Sequence, residues 1–352
     1  MARTTIRTED ITDSSIQSLK NRNRIINGDM RIDQRNAGAS VTVSGAVYGV
    51  DRFRAVQTGG TGVFTIQQDS SYPSGFIKSL KATVTTAYSP TTTDRYEISQ
   101  LVEGNNTADL NWGTAAASPV TLSFWVRSSL TGTFGGVVQN ENADYNYVFS
   151  YSISAADTWE YKTITVSGPT TGTWATGNGQ GLKVTFSIGC GSTRLGTAGS
   201  WSSTRYEGAT GQTQLIATNG ATWYITGVQL EVGDVATPFE HRIYGEELAL
   251  CQRYYTEATP QMVHAFSSTQ VTGKLSYPMT MRATPTGTIK SGTASVDPIS
   301  GAPISPSSIN INVYEYGLND SMIISSNYSG LTTNKTYWAN TTSMIFGMDA
   351  EL

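Results

Sequence analysis

The chain is predicted to be all-β: an N-terminal arm, a sandwich or jelly roll of strands, a short connector helix and a smaller C-terminal β domain. Three observations predict this. Only 14% of the 352 residues are charged, against about 25% in ordinary globular proteins, and Ser, Thr, Gly and Asn take up the difference. Apolar residues alternate with polar ones at period two in segment after segment. Gly/Ser/Thr/Asn turns separate those segments, as they separate the strands of sandwiches and jelly rolls. Regularly spaced aromatics and 38% hydrophobic residues argue against a disordered low-complexity chain.

Residues 1–22 read as an arm. Thr12 or Asp13 can cap a short helix, Ser14–Leu19. Ile16 and Leu19 share a face, with Ile11 beside them. A helix this short needs a partner to order it, so Ile11, Ile16 and Leu19 are candidate anchoring residues; the alternative is a frayed terminus.

Residues 23–242 read as the sandwich. Leu122/Phe124/Val126, Tyr147/Phe149/Tyr151/Ile153 and Leu182/Val184/Phe186/Ile188 each alternate with mostly polar neighbours. Phe76–Val84 and Tyr96–Val102 are weaker examples. The strand from Thr222 is apolar on both faces, which places it centrally in a sheet. Pro238 then keeps Thr237 extended and ends the pattern.

Residues 243–257 read as the connector helix. Glu246 and Glu247 sit in its first turn, where negative charge suits the dipole. Leu248, Cys251 and Tyr255 fall on one helical stripe, which predicts packing at a domain or subunit boundary. Residues 258–352 read as a smaller β domain, with strands expected at Lys274–Met281, Ser308–Tyr316, Ser321–Ser325 and Ser343–Asp349.

Charge and motifs exclude several functions. The net charge of −4 supplies no basic field for nucleic acid, and no Lys/Arg cluster interleaves with aromatics. Two cysteines, Cys190 and Cys251, are too few for a disulfide scaffold; both lie on apolar faces and read as core residues. MARTTIRTED lacks a signal-peptide apolar region, and no run reaches the length of a membrane span. The expectation is synthesis in a cytoplasm without export. The histidines, His241 and His264, belong to different elements without HExxH spacing. No GxSxG elbow is present. The Gly177–Gly181 run lacks the Lys of a phosphate loop. Asp94, Glu97, Glu103, Asp109, Glu141 and Asp144 are scattered among 27 acids, and spacing alone identifies no glycosidase pair. The expectation is a protein that binds rather than catalyses.

Two stretches carry a resemblance. RIINGDMRIDQRNAG (Arg24–Gly38) resembles the start, and TGVQLEVGDVATPFEHRIYGEELALCQRYY (Thr226–Tyr255) the junction, of many bacteriophage virion proteins, tail-fibre proteins among them. FGMDAEL (Phe346–Leu352) resembles their C-terminus. The resemblance covers residues 21–281 and the last seven. It implies a carbohydrate-binding-module-like jelly roll over 23–242. It also implies a homotrimer located in the virion, attached to other virion proteins through the arm. NGDM and GVQLE resemble the first and last strands of modules that hold a structural calcium ion. That implies Asp29 and Glu231 as ligands, although an acid is expected nearer Gln229; they read otherwise as a turn residue and an exposed strand residue. No other cofactor is expected.

The resemblance implies a tail fibre that attaches to the host by binding a surface glycan. The alternatives are a head-decoration or capsid-associated fibre, and a carbohydrate-binding module or depolymerase. Trp112, Tyr145, Trp174 and Trp201 lie in or beside loops, but match positions shared across the resembling domains, which favours packing. Tyr314, Tyr316, Tyr328, Tyr337 and Trp338 lie where the resemblance fades. Host-specific recognition is therefore expected there, at a receptor-binding tip; the alternative is that they fill the core of a small sandwich.

Overall fold

The computed structural model describes residues 21–260, 262–291, 296–297, 304, 311–317, 320–326, 328–339 and 345–352. The arm residues Ile11, Ile16 and Leu19 lie outside the described residues. The chain is all-β with one short α-helix among the described residues. It divides between Arg242 and Ile243 into two compact units, so the helix groups with the second unit.

The first unit holds β1 (Val41–Thr42), β2 (Ala46–Val50), β3 (Phe53–Thr58), β4 (Val63–Asp69), β5 (Ser79–Thr86), β6 (Arg95–Glu103), β7 (Val120–Ser128), β8 (Gly132–Gln139), β9 (Asn146–Ile153), β10 (Glu160–Val166), β11 (Gln180–Cys190), β12 (Leu195–Gly196), β13 (Trp201–Ser202), β14 (Gly208–Ala209) and β15 (Thr222–Val232). Two antiparallel sheets form, in the orders β1-β4-β5-β15-β7-β10 and β13-β9-β8-β11-β6-β3-β2. Inward residues of both sheets build one core, including Phe64, Leu80, Phe124 and Trp223 from the first and Phe53, Tyr96, Phe149 and Phe186 from the second. This is a sandwich whose strands bury alternate residues.

β15 is central, between β5 and β7, and its apolar phase changes midway. Trp223 and Ile225 face the core before a register shift between Thr226 and Gln229; Val228 and Leu230 face it after. Gly227 sits in that bulge with φ 63°. A Cβ there would lie 2.6 Å from the Phe76 ring. A bulge inserts one residue and so moves the inward set from odd to even positions, which explains why both faces of this strand are apolar in sequence.

The outer face of the second sheet is covered by the chain's own segment Gly191–Ile216. β14 packs across β8, β9 and β11. Beneath it Lys183 Nζ lies 2.8 Å from Glu97 Oε1 and 4.0 Å from Glu207 Oε2. Glu207 also meets Arg95 at 3.3 Å and Arg205 at 2.8 Å. Burial alone would raise the Glu97 carboxyl, but Lys183 and Arg95 outweigh it and bring it down to about 2. Burial, then repulsion from Glu97, raises Glu207.

The two sequence signatures of the first unit close on each other as a seam. Arg24 N donates to Leu230 O at 2.8 Å and Val228 N to Gly28 O at 2.9 Å. Leu230 N donates to Asn23 Oδ1 at 3.0 Å. Asn23 N donates to Glu240 Oε2 at 2.9 Å, and Arg242 Nη1 to Ile25 O at 3.1 Å.

The second unit starts with α1 (Tyr244–Gln252) and continues with β16 (Tyr255–Ala258), β17 (Met262–Ala265), β18 (Gln270–Ser276), β19 (Thr286–Ser291), β20 (Val296–Asp297), β21 (Ile311–Gly317), β22 (Asp320–Ser326), β23 (Lys335–Ala339) and β24 (Ile345–Asp349). A small sheet, β16-β24-β19, accompanies a larger one, β20-β23-β17-β18-β22-β21. The expected helical stripe is corrected. The helix stops at Gln252, and Tyr255 begins a strand paired with Asp349 of β24. Cys251 is buried, Leu248 is only half-buried, and Glu247 is buried instead.

Candidate functional site

Four loop aromatics meet at one end of the sandwich. Trp112 follows β6, Tyr145 precedes β9, Trp174 lies between β10 and β11, and Trp201 opens β13. Trp112 is buried and crosses Trp174 at 4.7 Å and 79°, and Trp201 at 5.6 Å and 81°. Trp174 and Trp201 cross each other at 5.6 Å and 82°. Tyr145 stacks on Trp201 at 5.4 Å and 22°. Tyr145, Trp174 and Trp201 are each half-buried.

Local hydrogen bonds hold the rings. Trp112 Nε1 donates to Ser118 O at 2.8 Å, Trp174 Nε1 to Thr171 O at 3.2 Å, and Trp201 Nε1 to Ser167 O at 2.8 Å. Tyr145 Oη and Thr171 Oγ1 lie 2.5 Å apart. The three indole N–H groups are thus satisfied by backbone; Trp112 belongs to the core, and Trp174 and Trp201 pack against it while keeping part of their surface exposed. Gly172 makes the close approach feasible: at φ 92°, a Cβ would sit 3.1 Å from the Tyr145 ring.

A cleft of about 260 Å³ adjoins this cluster, lined by Tyr147, Phe149, Ser150, Ile164, Ala198 and Gly199. Tyr147 joins the two features, since its ring lies 5.4 Å from Trp201. Burial raises its phenol above the ordinary value, and Oη donates to Thr165 O at 3.3 Å. Asp144 is exposed beside the cluster and accepts from Asn140 Nδ2 at 2.6 Å. Apolar ring faces flanked by amide, hydroxyl and carboxylate groups suit a ligand that offers C–H faces and hydroxyls together.

The residues expected to recognise the receptor are not gathered in this way. Tyr328 and Tyr337 are buried in the core of the second unit, and Tyr337 Oη accepts from Thr332 N at 2.8 Å. Neither offers a ring face to a ligand, because the small unit needs both to fill its interior. Tyr314 and Tyr316 lie on β21, Tyr314 opposite Met322; their side chains lie outside those described. Trp338 alone of the five is shown on the surface, 55% exposed, opposite Met262 at 53%.

The calcium expectation does not fit. Glu231 is buried rather than exposed, and its oxygens accept from Thr237 N at 2.8 Å, Thr237 Oγ1 at 2.6 Å and Gln229 Nε2 at 2.9 Å. Asp29 is ion-paired with Arg31. Calcium needs six to eight converging oxygens, and Glu231 has spent its own on the seam. Among the described residues no group of three or more His, Cys, Asp or Glu is placed to hold a metal ion. Of the scattered acids, Asp94 accepts from Tyr88 and Thr91, Glu103 from Asn105, and Asp109 pairs with Arg24, while Glu141 and Asp144 are exposed.

No protein-family model matches the chain, and no curated protein matches it. Solved structures similar to it include the enzymatically active domain of bacteriophage CBA120 tailspike protein 4, at 13% identity and TM-score 0.33, covering 60% of this chain and 22% of that one. The matched part thus spans about a fifth of that solved chain. A Bacteroides thetaiotaomicron protein described as a putative sugar-binding protein is similar at 10% identity and TM-score 0.36, covering 60% of this chain and all of that one. A family 11 carbohydrate-binding module from Clostridium thermocellum, in complex with a mixed-linked tetrasaccharide, is similar at 11% identity and TM-score 0.28, covering 58% and 100%. The assignment of the site rests on the geometry above.

Proposed function

We propose that this chain is a phage virion fibre protein that attaches to the host by binding a surface glycan, and that the aromatic end of the sandwich carries the glycan site. The observation that supports the reading is convergence. Tyr145, Trp174 and Trp201 come from three separate loops and meet around Trp112, beside a cleft that shares Tyr147. This moves the site from residues 258–352 into residues 23–242.

The action at this site is binding. Stacking of one exposed ring is worth about 1–3 kcal/mol by analogy with nucleobases, so a single site is weak and several subunits acting together supply avidity. The fibre is a homotrimer, anchored through residues 1–22 to other virion proteins and carried on the tail; a head fibre is the competing location, separable by immunogold labelling. Analytical ultracentrifugation tests the trimer, and virion incorporation of a chain lacking residues 1–20 tests the anchor.

The test of the site compares Trp174→Ala and Trp201→Ala with Trp338→Ala in adsorption of the purified protein to host cells. Loss with the first two and retention with the third is expected. Retention with the first two and loss with Trp338→Ala would return the site to the second unit.

A further inference from the structure

The segment Gly191–Ile216 lies across the outer face of the second sheet as a strap. Its charged residues are Arg194, Arg205 and Glu207, so Glu207 is its single acid. Neutral bonds hold the strap at several points. Asn146 Nδ2 donates to Thr204 O at 3.0 Å and Gln212 Nε2 to Ser187 Oγ at 2.7 Å. Gly199 N donates to Val148 O at 2.9 Å and Thr213 N to Thr133 O at 2.6 Å.

At Glu207 the contact is carboxyl on carboxyl. Glu207 of the strap and Glu97 of β6 are each 1% exposed. Their Oε1 atoms have donors: Lys183 Nζ for Glu97, and Arg95 and Arg205 for Glu207. Their Oε2 atoms are both buried, and neither receives a donor. Yet the two carboxyls are in hydrogen-bond contact with each other. Two bare acceptors cannot bond. One proton between them makes a donor of one and satisfies both.

The surrounding charges decide where that proton sits. Lys183 Nζ is 2.8 Å from Glu97 but 4.0 Å from Glu207 Oε2, so its charge favours an ionised Glu97. Lys183 and Arg95 hold the Glu97 carboxyl down at about 2. Burial, then the Glu97 charge, raises Glu207 against the pull of Lys183 and Arg205. Like charges in buried contact do not both ionise cheaply. On β11 the neighbouring Cys190 thiol, which also faces Arg194, is pushed by burial up to about 12, so it stays neutral. Neither β8 nor β9 contributes a charged residue, and Tyr206 packs instead with Val137 and Val148.

We propose that Glu97 and Glu207 share one proton, with Glu207 Oε2–H donating to Glu97 Oε2, and that this bond is a pH-sensitive latch holding the strap to the sheet. Loss of the proton leaves two carboxylates in contact. The closed strap binds the proton more tightly than the open one, because Glu207 is raised from 4.5. The latch is therefore complete below 4.5 and is lost as pH rises through the raised value. Trp201 lies on the same strap and stacks on Tyr145, so the latch also sets how firmly that ring is held.

The test is backbone hydrogen exchange on the full chain at pH 5 and pH 8, corrected for the intrinsic rate at each pH. Strap amides are compared with amides of β7, which report global opening and absorb the contribution of Asp51. Protection of the strap relative to β7 should fall about tenfold, the equivalent of one pKa unit. In Glu207→Gln the amide donates to Glu97 Oε2 at every pH, so this fall should disappear. Carboxyl-carbon NMR of the parent protein decides the matter if that variant fails to fold: Glu207 should be protonated at pH 5 while Glu97 is ionised. The proposal is overturned if Glu207 is ionised at pH 5, if strap protection relative to β7 is the same at both pH values, or if Glu207→Gln keeps the parent's pH dependence.

Discussion

Asp51 makes the stability of the sandwich depend on pH in a direction opposite to the usual carboxylate. It is 1% exposed and accepts from Gln34 N and Gln34 Nε2. Burial outweighs those bonds and the nearby Arg35, and raises its pKa from 3.8 to about 6. The folded state therefore holds this proton more tightly than the unfolded state does. Below pH 3.8 both states are protonated and folding carries no penalty from this group. As pH rises to 6 and beyond, the folded state must bury a charge that the unfolded chain leaves in water. At about 1.36 kcal/mol per pKa unit the full cost is about 3 kcal/mol. Asp51→Asn removes the titration and loses one acceptor, a loss of about 1 kcal/mol at every pH. The assay is urea unfolding of both proteins at pH 4 and pH 7. The difference in ΔG between variant and parent should move in the variant's favour by about 2–3 kcal/mol between the two pH values. Comparing the proteins cancels the other carboxylates, Glu97 among them. A difference that stays constant with pH would refute the argument, and would mean that solvent reaches the Asp51 carboxyl.

Gly227→Ala should cost about 2–4 kcal/mol, from left-handed strain and the clash with the Phe76 ring; an unchanged urea midpoint would show that the bulge is free to move. Lys183→Met leaves two neighbouring buried acids without their shared cation and should destabilise by about 3–5 kcal/mol, read as a lower midpoint with earlier proteolysis within Gly191–Ile216. Leu248→Ala should cost only about 1 kcal/mol, since the side chain is half-buried; a loss near that of a full core leucine would show that Leu248 is buried after all. Trp112→Ala should perturb the near-ultraviolet circular dichroism and loosen the Trp174 and Trp201 rings together, since its ring touches both.

Alternation made several strands of the sandwich readable from sequence, though not β2, β3, β4, β8 or β10. The Leu122/Phe124/Val126, Tyr147–Ile153 and Leu182–Ile188 patterns became β7, β9 and β11 with the expected inward residues. The phase change at Gly227 was not readable, because a bulge makes an alternating strand look apolar on both sides. In the second unit β16, β17, β19, β20 and β23 were missed: β16, β19 and β23 pair with segments distant in the chain, whereas β17 forms a hairpin with β18 and is only four residues long. Tyr255 fitted a helical spacing, but main-chain pairing with β24 claims it for a strand. Trp112, Tyr145, Trp174 and Trp201 were recognised as aromatics in or beside loops and read as packing; their convergence was not readable, because they are spread over about ninety positions. The available signal was that Trp112, Trp174 and Trp201 each stand beside Gly, Ser or Thr in a turn-rich stretch, where a large ring has little local reason to be. Tyr328 and Tyr337 misled for the converse reason: a low-charge aromatic segment reads the same whether it lines a surface or fills a core.

The seam between Asn23–Gly28 and Val228–Arg242 gives the sandwich unit a mechanical character. The chain enters at Asn23 and leaves at Arg242, joined there by the Asn23–Glu240 and Arg242–Ile25 bonds. Tension applied between the preceding and following chain acts first on that neck, which includes the end of β15. A pull transmitted along the polypeptide would strain a handful of hydrogen bonds at the neck before it reached the hydrophobic core. The rings at Tyr145, Trp174 and Trp201 make none of these neck bonds, so a grip formed there does not depend on the first of those bonds to yield.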